Sequence, residues 1–101
     1  MKRELKIRNG SFSDRKSVLQ IARSLDDWFN DDGIKYIEQG LEFQRLIIAE
    51  TDSEPVGFLS FFIYKGVRYL GWIGVLERFH GSGAGEALFL ESEELIFRKA
   101  I

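Results

Sequence analysis

Val75-Leu76-Glu77-Arg78-Phe79-His80-Gly81-Ser82-Gly83-Ala84-Gly85-Glu86 is the stretch on which the fold turns. It joins the end of an apolar, strand-like run to the start of a helical run. Three glycines alternate between the two: Gly81, Gly83 and Gly85. Alternating glycine strips Cβ atoms from the backbone and lets a ligand approach the main chain closely. The first N–H groups of the following helix lack intrahelical partners, which suits an anion such as a phosphate. The same spacing also fits a β-to-α connection whose glycines serve only tight packing. Two other phosphate loops are excluded. A dinucleotide-binding fingerprint needs its third glycine where Glu86 stands, and a nucleoside-triphosphate loop needs Gly-Lys-Ser/Thr.

Upstream of the loop the hydrophobic period is that of strands. Arg45 to Glu50 reads as one strand, Asp52-Ser53-Glu54 as a turn, and Pro55 opens a second strand rich in β-branched and aromatic residues, Val56 to Tyr64. Lys65-Gly66 makes another tight turn, and Val67 to Val75 is a third strand. Such short connections imply antiparallel neighbours. Gly57, Gly71 and Gly74 lie inside these strands, where glycine marks a bulge or the close approach of a backbone or ligand. Relief beside a bulky aromatic such as Trp72 is the competing reading for each.

Farther upstream, Glu4 to Arg8 alternates as a short strand with Leu5 and Ile7 on one side. Ser13 or Asp14 is placed to cap a helix whose buried face is Val18, Ile21, Ala22 and Leu25, with Trp28 and Phe29 extending it. Asp31 or Asp32 is placed to cap a second helix carrying Ile34, Ile37 and Leu41 and ending near Gly40 or Leu41. Downstream of the loop a third helix begins at Gly85 or Glu86 and runs to the end of the chain. Leu88, Phe89, Leu95 and Ile96 form one apolar stripe on it; Leu90, Phe97 and Ile101 form another, which suggests a second packing partner.

Composition bounds the chemistry. The 101 residues, 45% of them hydrophobic, make a single domain spanning 1–101. With 14 basic and 16 acidic residues the net charge is -2, so nothing favours nucleic acid or an anionic membrane surface as partner. There is no cysteine, which removes disulfides, thiolate catalysis and Cys-ligated metal, and the one histidine, His80, argues against a His-cluster metal site or a Ser-His triad. No apolar run is long enough to cross a bilayer and no leader is evident, so the expectation is a soluble, cytoplasmic protein without a metal.

The order strand, helix, helix, three-strand meander, glycine loop, helix resembles the first part of the GNAT acyltransferase fold. Glu54-Pro55-Val56-Gly57-Phe58 resembles the start of that family's third strand, and Trp72-Ile73-Gly74-Val75 the end of its fourth. His80-Gly81-Ser82-Gly83-Ala84-Gly85 stands where the family has Arg/Gln-x-x-Gly-x-Gly/Ala, and Ala87-Leu88-Phe89 continues as its third helix does. The fold class implied is α/β (α+β), GNAT-like, without the C-terminal half that normally follows the third helix.

The resemblance implies an acetyl-CoA-dependent N-acetyltransferase, with acetyl-CoA or coenzyme A as co-substrate and a small-molecule or peptide amine as acceptor. Ile73, Gly74 and Val75 would meet the pantetheine arm, and the segment His80, Gly81, Ser82, Gly83, Ala84, Gly85 and Glu86 would hold the pyrophosphate. Several residues depart from the family's pattern. His80 replaces Arg or Gln, Glu77 stands where proline is common, and Glu86 sets an acid on the first helical turn, with Arg78 near enough to offset it or simply solvated. No catalytic residue is assigned. Glu38, Glu42 and Glu77 are candidate bases that read more readily as solvated charges, and Trp28, Phe29, Tyr36 and Phe43 are candidate walls of an acceptor pocket that read more readily as plain core. The open edge of the Val67–Val75 strand implies a homodimer or partner chain. The alternative function is a non-catalytic half-domain that binds coenzyme A or only dimerises, and the chain could equally be a fragment of a longer enzyme.

Overall fold

The computed structural model describes the backbone of residues 4–100 and the side chains of residues 4–93. In chain order it holds β1 (Lys6–Asn9), α1 (Arg15–Ser24), α2 (Asp31–Gly40), β2 (Arg45–Thr51), β3 (Glu54–Tyr64), β4 (Val67–Val75) and α3 (Ala84–Ala100). The strands form one antiparallel sheet in the order β1-β2-β3-β4. Both hairpins turn through left-handed backbone, at Asp52 and Ser53 and then at Lys65 and Gly66. That conformation matches the twist of the strands it joins.

Helices cover both faces of the sheet. Val18, Ile21, Ala22 and Leu25 are spaced three and four apart, so α1 buries one stripe. They pack with Ile34 and Ile37 of α2 on Ile48 and Phe58. On the opposite face, Ala84 and Leu88 of α3 pack on Ile47, Ala49, Leu59 and Phe61. Arg68 of β4 pins α3 from below. Its guanidinium lies 4.4 Å over the Phe89 ring, donates to the buried Ser92 hydroxyl, and stands 3.6 Å from Glu93. Leu90 is exposed; the side chains of Leu95, Ile96, Phe97 and Ile101, which complete the two expected stripes, lie outside the described residues.

Four local expectations are corrected. Neither Ser13 nor Asp14 caps α1 with its side chain. Asp14 is instead taken by Arg8, which donates two hydrogen bonds to its carboxylate at 2.8 and 2.9 Å and a third to Glu50 at 2.9 Å. Asn30, not Asp31 or Asp32, caps α2: its Oδ1 accepts from the Gly33 N–H at 2.8 Å. Helix α1 stops at Ser24, so Trp28 does not extend its face and is 77% exposed, whereas Phe29 folds back onto the core. Finally, α3 starts at Ala84, slightly earlier than expected.

The Arg8–Asp14 pair predicts an acid response. Hydrogen bonds from Arg8 hold the Asp14 carboxyl down at about 2, against an ordinary 3.8. A depressed folded-state value stabilises the fold fully above the ordinary value, and that stability is lost as pH falls through 4 towards about 2. Asp14→Asn is expected to cost about 1–2 kcal/mol at pH 7, discounted because Arg8 is a third exposed, and about nothing near pH 2. Chemical denaturation of both proteins across this range checks the convergence.

Candidate functional site

The carboxyl end of β4 and the loop after it form the candidate site. Ser60 lies on the neighbouring strand β3, where its hydroxyl accepts the Trp72 N–H at 2.9 Å. The register there runs from Leu59 opposite Ile73 to Phe61 opposite Leu70, so Gly71 and Trp72 together face Ser60 alone. This is a β-bulge, which bends a strand and re-aims its side chains. Gly71 suits it: a Cβ there would fall 1.8 Å from Gln44 Oε1 and 2.7 Å from the Ser60 hydroxyl. Gln44 Oε1 is buried there without a hydrogen-bond partner. Gly74 has a packing reason too, since its Cβ would meet Phe58 Cε1 at 2.7 Å; the bulky neighbour is Phe58 rather than Trp72.

Beyond the bulge the main chain alternates between the sheet and the free edge. Leu76 N–H turns inward to the Val56 carbonyl at 2.8 Å, and Gly74 pairs with Phe58. The Val75 carbonyl, by contrast, is held by His80 Nε2 at 2.7 Å. A carbonyl oxygen only accepts, so Nε2 carries the proton of this bond. Alternate residues of an antiparallel strand present their N–H and C=O groups to opposite sides. Ile73 therefore shares the outer edge with Val75, where no described strand pairs with β4.

A short turn (Glu77–Phe79) brings the chain to the glycines. Gly81 and Gly83 adopt φ of +82° and +88°, left-handed values that cost a side chain-bearing residue roughly 1–2 kcal/mol. The first helical backbone bond of α3 runs from Ala87 N–H to the Gly83 carbonyl at 3.0 Å. The N–H groups of Gly85 and Glu86 precede it and have no intrahelical acceptor. Ser82 Oγ accepts weakly from Ala84 N–H at 3.3 Å. Arg78 stacks on the Phe79 ring at 5.2 Å and borders hollows on the α1 side rather than the cavity lined by the glycines.

Two adjoining cavities open along this edge. One, of about 290 Å³, is lined by Ile73, Gly74, Val75, Phe79, His80, Gly81, Gly83, Ala84 and Gly85, so the structure gathers most of the sequence-selected cofactor segment on one wall. The other, of about 370 Å³, is lined by Trp28, Phe29, Gly71, Trp72, Ile73 and His80. Ile73 and His80 belong to both. Of the four aromatic residues considered for an acceptor pocket, Trp28 and Phe29 arrive here. Tyr36 and Phe43 are exposed and line neither cavity.

Trp72, which meets Phe29 edge-on at 5.9 Å, is a wall that sequence reading missed, because its placement depends on the bulge. None of Glu38, Glu42 and Glu77 lines either cavity: Glu42 lies 3.9 Å from Arg15, and Glu77 borders a separate hollow with Ser24 and Arg78. Another cavity of about 380 Å³ lies near Asn9–Phe12 and Gln44–Leu46, away from the glycine loop. Among the described residues no group of acids and histidine could hold a metal ion, and no helix is long and apolar enough to cross a membrane.

Comparison with known proteins bears on the fold. A sequence model described as the acetyltransferase (GNAT) family matches residues 10–101. No curated protein matches the chain in sequence. A solved GNAT family acetyltransferase from Brucella melitensis, in complex with acetyl-CoA, superimposes with a TM-score of 0.79 at 22% identity, over 98% of this chain and 71% of its own. The PaiA N-acetyltransferase from Thermoplasma acidophilum, in complex with coenzyme A, gives 0.77 at 19% identity, over 97% and 75%. A ribosomal-protein-alanine N-acetyltransferase from Brucella melitensis biovar Abortus gives 0.76 at 19%, over 96% and 74%. At such identities the likeness is one of fold, and roughly a quarter of each longer chain has no counterpart here.

Proposed function

The chain belongs to the acetyltransferase (GNAT) family, and on that premise we propose that it holds coenzyme A on the Gly81–Gly85 loop and carries an acetyl group from the thioester to an amine. One observation carries the reading. A Cβ added at Gly81, Gly83 or Gly85 would meet nothing within 4 Å. Gly85 also lacks a positive φ, so neither the packing of this chain nor its backbone demands glycine there. The room fits a pyrophosphate lying on the backbone. N–H groups at the start of α3 would donate to it, each charge-assisted bond being worth about 1.5–3 kcal/mol. The helix dipole adds roughly 0.3–1 kcal/mol. Glu86, an acid on the first helical turn, opposes this.

Acetyl-CoA supplies the activated thioester. The chain supplies position. The outward main-chain groups of Ile73 and the N–H of Val75, whose carbonyl His80 already holds, orient the pantetheine arm as an added strand would be oriented. The bulge at Gly71–Trp72 sets the reacting end where the two cavities meet. There the amine nitrogen attacks the thioester carbonyl carbon. The C–N bond forms, the C–S bond breaks, and the sulfur departs with the electron pair. Main-chain N–H groups near the bulge would stabilise the carbonyl oxygen as it gains charge. No carboxylate among the described residues lines either cavity; the proton lost by the nitrogen would pass by way of water to the departing thiolate. That same fact favours the second reading, a half-domain that binds coenzyme A without turnover. Free thiol release from acetyl-CoA across a panel of amines decides between them. Amine-dependent release supports transfer; calorimetric binding of coenzyme A with no release supports the half-domain.

A second copy of the chain is proposed to cover the other half of the free edge. Val67, Tyr69 and Leu70 are each about half exposed on β4, with no described neighbour strand beyond them. An apolar edge of this kind recruits another strand. Pairing along 67–70 leaves 73–75 for the cofactor. Sedimentation at tens of micromolar, an ordinary association range, is expected to show a dimer; a monodisperse monomer would refute it.

A further inference from the structure

We propose that the acceptor is a small linear diamine or polyamine, bound through a second positive charge in the aromatic cavity beside the cofactor loop. The inference rests on the acyl-transfer reading above and narrows its substrate class. The cavity, of about 370 Å³, has Trp28, Phe29 and Trp72 as walls and adjoins the cofactor cavity through Ile73 and His80. Trp72 is held by its edge-on packing with Phe29. Trp28 is 77% exposed, although an indole is among the most hydrophobic groups the chain has to bury. An indole face left open beside a cavity attracts a cation through its quadrupole.

The charge around it has one sign. Asp26, Asp27, Asp31 and Asp32 all lie within four residues of Trp28 in sequence, and no lysine or arginine stands between Arg23 and Lys35. All four are exposed. Alone they would be a solvated loop, since exposed carboxylates bind little. Beside an aromatic cavity they lower the local potential and draw a cation in. The cavity itself carries no lining cation to oppose this: its one titratable wall residue is His80, whose Nε2 is already engaged with the Val75 carbonyl. A monoamine spends its only charge at the reacting nitrogen, which must be neutral to attack. A diamine keeps one ammonium for the indole while its other nitrogen reaches the thioester.

Three probes of equal chain length test this by calorimetry and tryptophan fluorescence: 1,4-diaminobutane, n-butylamine and 4-aminobutanoate. They are titrated into the chain with and without coenzyme A. The diamine is expected to bind at least about tenfold tighter than n-butylamine, with 4-aminobutanoate weakest. Trp28→Ala is expected to weaken the diamine about five- to tenfold while leaving coenzyme A affinity unchanged. Asp27→Asn with Asp31→Asn should reduce both diamine binding and its salt dependence. Equal binding of diamine and monoamine, or a Trp28→Ala protein that binds the diamine normally, overturns the inference and leaves the cofactor site standing. Failure to bind coenzyme A overturns the proposed function instead, and the diamine preference is still read from the free chain.

Discussion

Gly85→Asp is expected to leave the chain folded and at least as heat-stable as the parent, while coenzyme A binding falls about 30- to 100-fold. The two effects have opposite signs because they come from different physics. A side chain at position 85 enters open space at an ordinary helical φ, so it meets no clash. Replacing a helical glycine removes a backbone entropy cost of roughly 0.5–1 kcal/mol. An acid in the first turn also gains roughly 0.3–1 kcal/mol from the dipole. For the ligand the same carboxylate fills the cradle and sets a negative charge against the pyrophosphate. Losing one or two charge-assisted bonds costs about 2–2.7 kcal/mol, which is the expected fold-change. Thermal denaturation and calorimetry on the same sample separate the terms. Unchanged coenzyme A affinity with raised stability would mean that the glycine serves only the turn.

Phe58→Ala carries the largest expected loss of stability, about 3–5 kcal/mol. Phe58 is fully buried where α1 meets the sheet, and its ring lies directly beneath Gly74. Removing it opens a cavity under the strand that presents Ile73 and Val75. For a chain of this size that cost lowers the melting temperature by about 12 °C or more. It is a large part of the 5–15 kcal/mol that holds a typical domain together. Gly85→Asp should spare stability and destroy binding; Phe58→Ala should do the reverse first. A melting shift of only a degree or two would show that β4 is not supported from this side.

Much of the scaffold could be read from the residues because its signals are local. Val18, Ile21, Ala22 and Leu25 announce a buried helical stripe through spacing alone. Tight turns at Asp52-Ser53 and Lys65-Gly66 force the meander. The glycine loop was visible for the same reason, since Gly81 and Gly83 are residues that left-handed backbone selects. What escaped depends on contacts distant in sequence. The bulge that places Trp72 rests on a hydrogen bond from its N–H to Ser60, twelve residues away. Asp14 looks like a cap until the fold sets Arg8 against it. Asn30 and Asp31 have equal capping chemistry, so only the actual start of α2 separates them. A base stayed unassigned for a related reason: acids such as Glu38, Glu42 and Glu77 mark a surface, and nothing in their spacing says which surface faces a cavity.

Backbone amide NMR of the 101-residue chain, titrated with coenzyme A, tests the central claim most directly. Saturable shifts are expected to be largest at the amides of Gly81, Gly83, Gly85 and Glu86, with a second group at Ile73 and Val75. No saturable change at millimolar coenzyme A, or shifts centred on the cavity between Asn9–Phe12 and Gln44–Leu46, would contradict it.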